Sequence, residues 1–201
     1  MAVTTDKRLL RGARTRQAVL RRAVDVASLD GLDGLSFGRL AEDTGMSKAG
    51  VQTLFRTKEA LQLATVDTAR DLFVDAVVRP AAAAPHGRAR LLALVDHWIT
   101  YAEAPLFAGG CFRVANLATF DSHPGPVHDA LARDQRDWTE LLAKQFRTAV
   151  AAGEIAAVDA EHAAFGLDAL LCATNTALRF GDQRAVARLR DLAGPLLSAT
   201  R

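Results

Sequence analysis

The sequence predicts an all-α protein of about nine helices. Apolar residues recur at three- and four-residue spacing along most of the 201 residues, and no convincing run of alternating β-branched residues indicates a strand. Half of the residues are hydrophobic and 24% are charged, so the chain can bury a real core and global disorder is disfavoured.

The first helix is expected over residues 15–29, with Thr15 as its N-terminal cap. One apolar stripe at helical spacing follows, formed by Val19, Ala23, Val26 and Ala27. The glycines of "DGLDG" (residues 30–34) can adopt positive φ, and they are expected to end this helix.

Two short helices come next, separated by a tight turn. Ser36 is expected to cap a helix over residues 37–44, and Ser47 to cap another that ends near residue 56. Gly45 lies between them, where the chain must reverse and a positive φ costs least.

The rest of the chain predicts six further helices. The first is capped by Thr57, has Glu59 in its first turn, and is expected to run to residue 79 and stop at Pro80. The other five are expected at residues 88–103, 111–120, 127–152, 160–180 (after a capping Asp159) and 184–198. Pro126 suits the first turn of its helix, whereas Pro195 is expected to kink or shorten the last one.

The pair of short helices around Gly45 has the pattern of a helix-turn-helix. Ala41 is small enough for a close helix crossing, while Val51 and Leu54 supply apolar contacts. The second helix opens with Ser-Lys-Ala-Gly, and such small residues allow its N-terminal end to approach the backbone of DNA in the major groove. Gln52 could then read a base edge, preferably adenine. A tight helical hairpin in an ordinary core is the alternative explanation.

Basic charge is concentrated in the same part of the chain. Residues 1–58 contain eleven Lys or Arg against six Asp or Glu, whereas residues 59–201 contain fourteen against seventeen. The imbalance favours a polyanionic partner for the N-terminal part, although a solvated basic face would give the same count.

The segment "LSFGRLAEDTGMSKAGVQTLFRTKEAL" (residues 35–61) resembles the DNA-binding signature of the TetR family of bacterial repressors. The resemblance implies a helix-turn-helix DNA-binding domain over residues 1–57 and a helical regulatory and dimerisation domain over residues 58–201. Gln52, Thr53 and Leu54 stand where the family usually has aromatic residues, so the usual aromatic phosphate contact is lost or replaced. The positions that the resemblance places nearest DNA are Arg16, Ser36, Arg39, Ser47, Lys48, Gly50, Gln52, Thr53 and Lys58, with Lys58 as a phosphate clamp.

Large apolar side chains in the middle of the chain predict a small-molecule pocket. They fall on three expected helices and one loop, and together they could enclose about 300–1,000 Å³, the usual size of a ligand site. The predicted ligand-binding residues are Trp98, Tyr101, Phe107, Phe112, Asn116, Phe120, Trp138 and Leu142. For any one of these residues, simple core packing is the alternative.

The last two predicted helices carry small and aliphatic residues that allow close helix packing. In TetR-like proteins the two C-terminal helices of each subunit form a four-helix bundle across a two-fold axis. The resemblance therefore implies a homodimer interface at Ala163, Gly166, Leu170, Ala173, Ala177, Val186, Leu189 and Ala193. Packing within one chain is the alternative.

Several other functions find little support. No apolar run is long enough to span a bilayer, and the basic N-terminus lacks the apolar stretch of a secretion signal, so we expect no membrane association and a cytoplasmic protein. Cys111 and Cys172 are too few for a disulfide framework and are expected to be small buried residues. His123, His128 and Asp121 match no metal-binding spacing, so no metal is predicted.

These observations together predict a ligand-responsive transcriptional repressor. It would bind a palindromic double-stranded DNA operator as a homodimer, respond to a small apolar ligand, need no cofactor and not be an enzyme. The alternatives are an all-α enzyme with a reactive Cys111 and a nonspecific nucleoid-type DNA-binding protein. No Ser-His-Asp set, HExxH motif or glycine-rich phosphate loop supports catalysis.

Overall fold

The computed structural model describes residues 2–199, with side chains from Leu9 onward; Met1, Thr200 and Arg201 lie outside the described residues. Within this range the chain forms nine helices, no β-strand and a single isolated bridge between Ile155 and Ala199, which confirms the all-α prediction. The helices are α1 (Ala2–Asp30), α2 (Phe37–Thr44), α3 (Lys48–Phe55), α4 (Lys58–Phe73, extended by a π-helical turn, Val74–Val78, and a last turn, Arg79–Ala81), α5 (Arg88–Glu103), α6 (Phe112–Phe120), α7 (Pro126–Ala151), α8 (Ala160–Arg179) and α9 (Ala185–Leu197).

The first helix is much longer than predicted, because Thr15 does not cap it. Thr15 lies inside α1, where its hydroxyl donates to the carbonyl oxygen of Arg11, four residues earlier (3.0 Å). This back-bonding lets a threonine sit within a helix, and the lysine, arginine and leucine residues before it are good helix formers. The stripe formed by Val19, Ala23, Val26 and Ala27 is fully buried, as predicted.

The fourth helix was predicted to stop at Pro80, but it continues past this residue. The π turn ends at Val78, with Arg79 between it and the proline, and the Arg79 N–H bonds the carbonyl oxygen of Val74, five residues earlier. Because this turn is wider than an α-helical turn, the carbonyl groups before Pro80 are displaced from their α-helical positions. The chain therefore continues in a helical turn to Ala81.

Apart from Thr15, the predicted side-chain caps agree with the structure. Ser36, Ser47 and Asp159 each accept a hydrogen bond from the N–H three residues on, at the start of α2, α3 and α8. The bond from the His162 N–H holds the pKa of the Asp159 carboxyl below its ordinary value. Pro126 is the first residue of α7, as expected, while Pro195 lies inside α9 and the helix ends two residues later.

The chain forms two compact units, and their division does not follow a single boundary in the sequence. The first unit contains Met1–Arg70 together with Phe107–Ala130, and the second contains Asp71–Leu106 and Leu131–Arg201. The helix-turn-helix therefore shares its unit with α6, which lies well beyond the predicted domain boundary at residue 57.

The first unit is held together by a close approach between α1 and the loop before α6. A Cβ atom on Gly109 would lie 1.9 Å from the backbone oxygen of Ser28, so only glycine fits there. The Gly109 N–H donates to the Ser28 hydroxyl at 2.8 Å, and the Ala108 N–H donates to a carboxylate oxygen of Asp25 at 3.3 Å. The loop is thus fixed to the C-terminal part of α1.

The second unit has its own core on α5, α7 and α8. Its largest fully buried side chains include Trp98, Phe146, Leu142 and Leu167. The buried amide oxygen of Gln145 accepts the N–H of Gly87, which fixes the loop before α5. Among the described residues, no helix is long and apolar enough to cross a membrane.

Gly109→Ala should lower the free energy of unfolding by at least about 2 kcal/mol, because the added methyl group must displace backbone atoms of α1. Chemical denaturation followed by circular dichroism measures the loss. The matched control is Gly38→Ala inside α2, where a Cβ atom meets nothing within 4 Å. That control should be neutral or gain up to about 1 kcal/mol. Equal stability of the two variants would contradict the close approach.

Candidate nucleic-acid interface

The reversal between α2 and α3 is a compact glycine turn. Gly45 adopts a left-handed conformation with φ 67° and ψ 24°. Its N–H bonds the carbonyl oxygen of Glu42, and the N–H of Met46 bonds that of Ala41 at 3.0 Å. This pair of bonds satisfies the Ala41 and Glu42 carbonyl groups near the end of α2, and only three residues separate α2 from α3.

The N-terminal end of α3 is open to solvent. The Ser47 hydroxyl accepts the Gly50 N–H at 3.1 Å, while the N–H groups of Lys48 and Ala49 have no carbonyl partner within the helix. Val51 and Phe55 are buried on the opposite side. The first turn of α3 therefore presents unsatisfied donors and a positive dipole end, which suit an anionic partner.

The side chains on the outer face of α3 are also exposed. They are Ser47, Lys48, Ala49, Gln52 and Thr53. The Thr53 hydroxyl donates to the Ala49 carbonyl oxygen at 2.8 Å and so keeps only its acceptor lone pairs for another partner. The structure thus brings the predicted reading residue Gln52 and the predicted charge of Lys48 to one accessible edge.

A shallow cavity of about 320 Å³ joins three of the predicted positions. It is lined by Leu35, Ser36, Phe37, Gly38, Lys48, Lys58 and Leu61, from the starts of α2, α3 and α4. Two lysines that are ten residues apart in the chain therefore share one concave surface. Such a surface concentrates positive potential beside the exposed edge of α3.

Three predicted positions have partners within the protein. The Arg39 guanidinium pairs with Asp30 at 2.6 Å, and the Lys58 ammonium donates to the Asp33 carbonyl oxygen at 2.7 Å. The Arg16 guanidinium lies over the Phe55 ring, 4.8 Å from its centre. These contacts position the cations, so a phosphate has to share or replace them.

α1 supplies basic residues that the prediction missed. Arg11 and Arg14 are exposed on the part of α1 that precedes its buried stripe. Residues 7–24 contain seven Lys or Arg and no Asp or Glu. This run of basic residues, uninterrupted by acidic ones, is visible in the sequence. It was not recognised as part of one helix because the first helix was expected to start at Thr15.

The connection from α3 to α4 is unusually strained. Arg56 has φ 64° and ψ −55°, and it is the one residue other than glycine with positive φ in the described chain. The Thr57 N–H bonds the Phe55 carbonyl oxygen across it at 2.7 Å, which makes a γ-turn. Strain of this kind persists only where the surrounding structure enforces it.

The predicted ligand-binding residues are divided between the two units. Phe107, Phe112, Asn116 and Phe120 belong to the first unit, whereas Trp98, Tyr101, Trp138 and Leu142 belong to the second. All except the half-buried Phe120 are buried. Within the second unit, Phe73 packs edge-to-face on Tyr101 and on Trp138, with ring centres 5.3 Å and 5.2 Å apart. Phe73 was not predicted, because it lies on α4, far from the others in sequence.

Asn116 has a different role from the predicted one of orienting a ligand. Its amide nitrogen donates to the carbonyl oxygens of Ala27 (3.1 Å) and Phe112 (2.8 Å), and its amide oxygen accepts the Leu32 N–H (2.7 Å). Every one of these contacts is buried. Since both amide N–H groups are already engaged, the side chain ties α6 to the end of α1.

The predicted dimer stripe is divided in a similar way. Ala163, Leu189 and Ala193 are buried inside the protomer, whereas Ala173 is exposed and the other four positions are half-buried. Three larger apolar side chains in this region are exposed and were not predicted. They are Phe165 on α8 (76% exposed), Phe180 directly after α8 (89%) and Leu192 on α9 (57%).

The two cysteines and a possible group of metal ligands were the candidates for catalysis or metal binding. Cys111 is buried at the start of α6, Cys172 is half-buried, and neither forms a disulfide bond. Within the described residues, no group of three or more His, Cys, Asp or Glu side chains could hold a metal ion.

Comparison with known proteins decides the family. The family profile described as "Tetracyclin repressor-like, C-terminal domain" matches residues 87–193, more than half of the chain. The chain is a member of the TetR family. Its helix-turn-helix and its helical C-terminal region thus belong to one established class of transcriptional regulators. No curated protein sequence matches the chain.

Several solved TetR-like structures share the fold. A TetR regulator from Chloroflexus aurantiacus has a TM-score of 0.80 and 24% identity, covering 92% of this chain and 96% of its own. AibR, in complex with isovaleryl coenzyme A and operator DNA, has a TM-score of 0.75 and 20% identity over 90% and 98% of the two chains. A regulator from Saccharomonospora viridis in complex with choline has a TM-score of 0.77 and 19% identity over 92% and 96%.

Asn116→Ala should destabilise this TetR-family protein by about 1–3 kcal/mol, because it leaves the Leu32 N–H buried without a partner and removes one of the two donors to the Ala27 carbonyl oxygen. Denaturant titration measures the change. Thr119→Ala on the exposed side of the same helix is the control and should stay within about 0.5 kcal/mol of the wild type. A loss for Asn116→Ala no greater than that of the control would contradict the structural role.

Proposed function

We propose that this TetR-family protein is a homodimeric repressor that binds a near-palindromic operator and is released by a small ligand. The observation that carries the proposal is the open N-terminal end of α3, with its unsatisfied N–H groups, Lys48 and Gln52 on one accessible edge.

The charges around α3 support DNA as the partner. Lys48 and Lys58 meet at the concave surface beside α2, and Arg11 and Arg14 extend positive charge along α1. Lysines and arginines would bind phosphates and set the orientation, while Gln52 would hydrogen-bond a base edge. AibR, which shares the fold, is found with operator DNA.

Exposed apolar residues on α8 and α9 support a homodimer. Large apolar side chains exposed as fully as Phe165 and Phe180 are costly in water, and two-fold pairing would cover them. A groove of about 210 Å³ runs between the two helices, lined by Leu170, Ala173, Thr174, Ala177, Ala185, Arg188, Leu189 and Leu192. Two copies are also needed for specificity, because one short helix reads only a few base pairs.

The aromatic residues of the second unit support a small ligand. Phe73, Tyr101 and Trp138 form one cluster, and the π turn of α4 begins immediately after Phe73. π turns inside helices occur frequently at functional sites. Related folds bind isovaleryl coenzyme A and choline, so the architecture accommodates organic ligands. The ligand must bind the DNA-competent and DNA-incompetent states with different affinity, or nothing shifts.

Gln52→Ala and Lys48→Ala should change DNA binding in different ways. Gln52→Ala should relax selectivity at one base position of each half-site, by about 1–3 kcal/mol, whereas Lys48→Ala should weaken all sequences alike and lower the salt slope by about one. Footprinting on the DNA upstream of the gene locates the operator, and fluorescence anisotropy on single-base variants measures selectivity. A protein that protects no defined site, or equal loss at every base for Gln52→Ala, would favour a nonspecific DNA-binding protein instead.

Phe180→Ser should raise the dimer dissociation constant by about 30-fold or more, since a central aromatic anchor typically contributes 2 kcal/mol or more. Sedimentation at several protein concentrations measures the constant. Leu29→Ser is the control, because Leu29 is also exposed but lies on α1. Dimers of unchanged stability in Phe180→Ser would move the interface away from the end of α8.

A further inference from the structure

The second unit contains a carboxylate, that of Asp168 on α8, with no cationic partner in the described chain. Both oxygens of Asp168 on α8 accept hydrogen bonds, one from the Trp138 indole N–H at 2.9 Å and one from the Gln135 amide at 2.7 Å. Both donors are neutral, and no ion pair to Asp168 is found among the described residues. Its negative charge is oriented and half-buried but not neutralised.

An aromatic cluster adjoins this carboxylate. Trp138, which donates to Asp168, packs edge-to-face on Phe73, and Phe73 packs edge-to-face on Tyr101, with interplanar angles of 86°. Aromatic faces carry negative potential, and clusters of such rings recognise organic ammonium groups, with tryptophan the strongest contributor. The carboxylate and the rings therefore favour the same sign of charge.

We propose that the ligand of this protein carries a positively charged ammonium group, which Asp168 and the aromatic cluster of Phe73, Tyr101 and Trp138 select. The inference rests on the ligand-responsive function proposed above and narrows its ligand from an apolar molecule to a cationic one with an apolar body. A metal ion does not fit, because Asp168 is a lone carboxylate whose two oxygens are already held by neutral donors.

The position of the cluster also indicates how binding reaches the DNA-facing residues. Phe73 is the last residue before the π turn of α4, and the same helix begins with Lys58 at the concave surface beside α3. A cation that enters between Phe73 and Trp138 would displace one of the two side chains, and a displacement of Phe73 would act on α4. Ligand charge is thus sensed on the helix that also carries a proposed phosphate contact.

The test compares two probes of nearly equal shape and different charge. (3-Hydroxypropyl)trimethylammonium carries the cation, and 4,4-dimethylpentan-1-ol replaces its nitrogen with carbon. Titration of the full-length protein, followed by tryptophan fluorescence, gives both dissociation constants. We expect the cation to bind at least tenfold more tightly in the wild type, and the ratio to fall towards one in Asp168→Asn.

Asp168→Asn preserves the local hydrogen bonds, because the asparagine oxygen can accept the indole N–H and the Gln135 amide can flip to accept. Asp96→Asn, an exposed carboxylate on α5 paired with Arg190, is the matched control for loss of one charge and should keep the wild-type ratio. Equal affinities of the two probes in the wild type overturn the proposal without any variant. Retention of the tenfold ratio in Asp168→Asn also overturns it.

DNA binding is measured in parallel, so that the two proposals can fail separately. A footprint without charge selectivity would leave the repressor proposal standing and reject the cationic ligand. Charge selectivity without a footprint would support the cationic ligand and reject the repressor proposal.

Discussion

The first unit depends on one buried amide. Asn116 accepts the Leu32 N–H, a backbone group just after α1 that would otherwise be buried without a partner, and it adds a second donor to the Ala27 carbonyl oxygen. Gly109 lies in the loop before α6, and its lack of a side chain lets this loop come close enough to α1 for the Asn116 contacts to form. Because of this interaction, α6 is packed as a part of the DNA-binding unit, although more than 50 residues separate it from α3 in the chain.

Local signals predicted most of the helices. Ser36, Ser47 and Asp159 cap their helices as expected, because a capping side chain acts within three residues and needs no tertiary information. The two wrong boundaries, at Thr15 and Pro80, have the opposite cause. Each residue usually marks a helix end, but a back-bonded hydroxyl and a π turn let the helix continue, and neither device has a sequence signature.

The candidate site was predictable only where it is local. The exposed edge of α3 follows from four consecutive residues and a glycine turn, and the sequence was sufficient to locate it. Asn116 contacts Ala27 across 89 residues, and Asp168 contacts Trp138 across 30, so their roles appear only when the chain is folded. The same is true of the pairing of Arg39 with Asp30, which gives a predicted DNA contact an internal competitor.

The γ-turn at Arg56 limits how α3 can move. Two residues join the end of α3 to the start of α4, and one of them is already held at a left-handed φ. A connection of two residues is too short to accommodate a tilt of α4 without moving α3. A rotation of α4 near its start is therefore transmitted directly to α3 and displaces the exposed edge of α3.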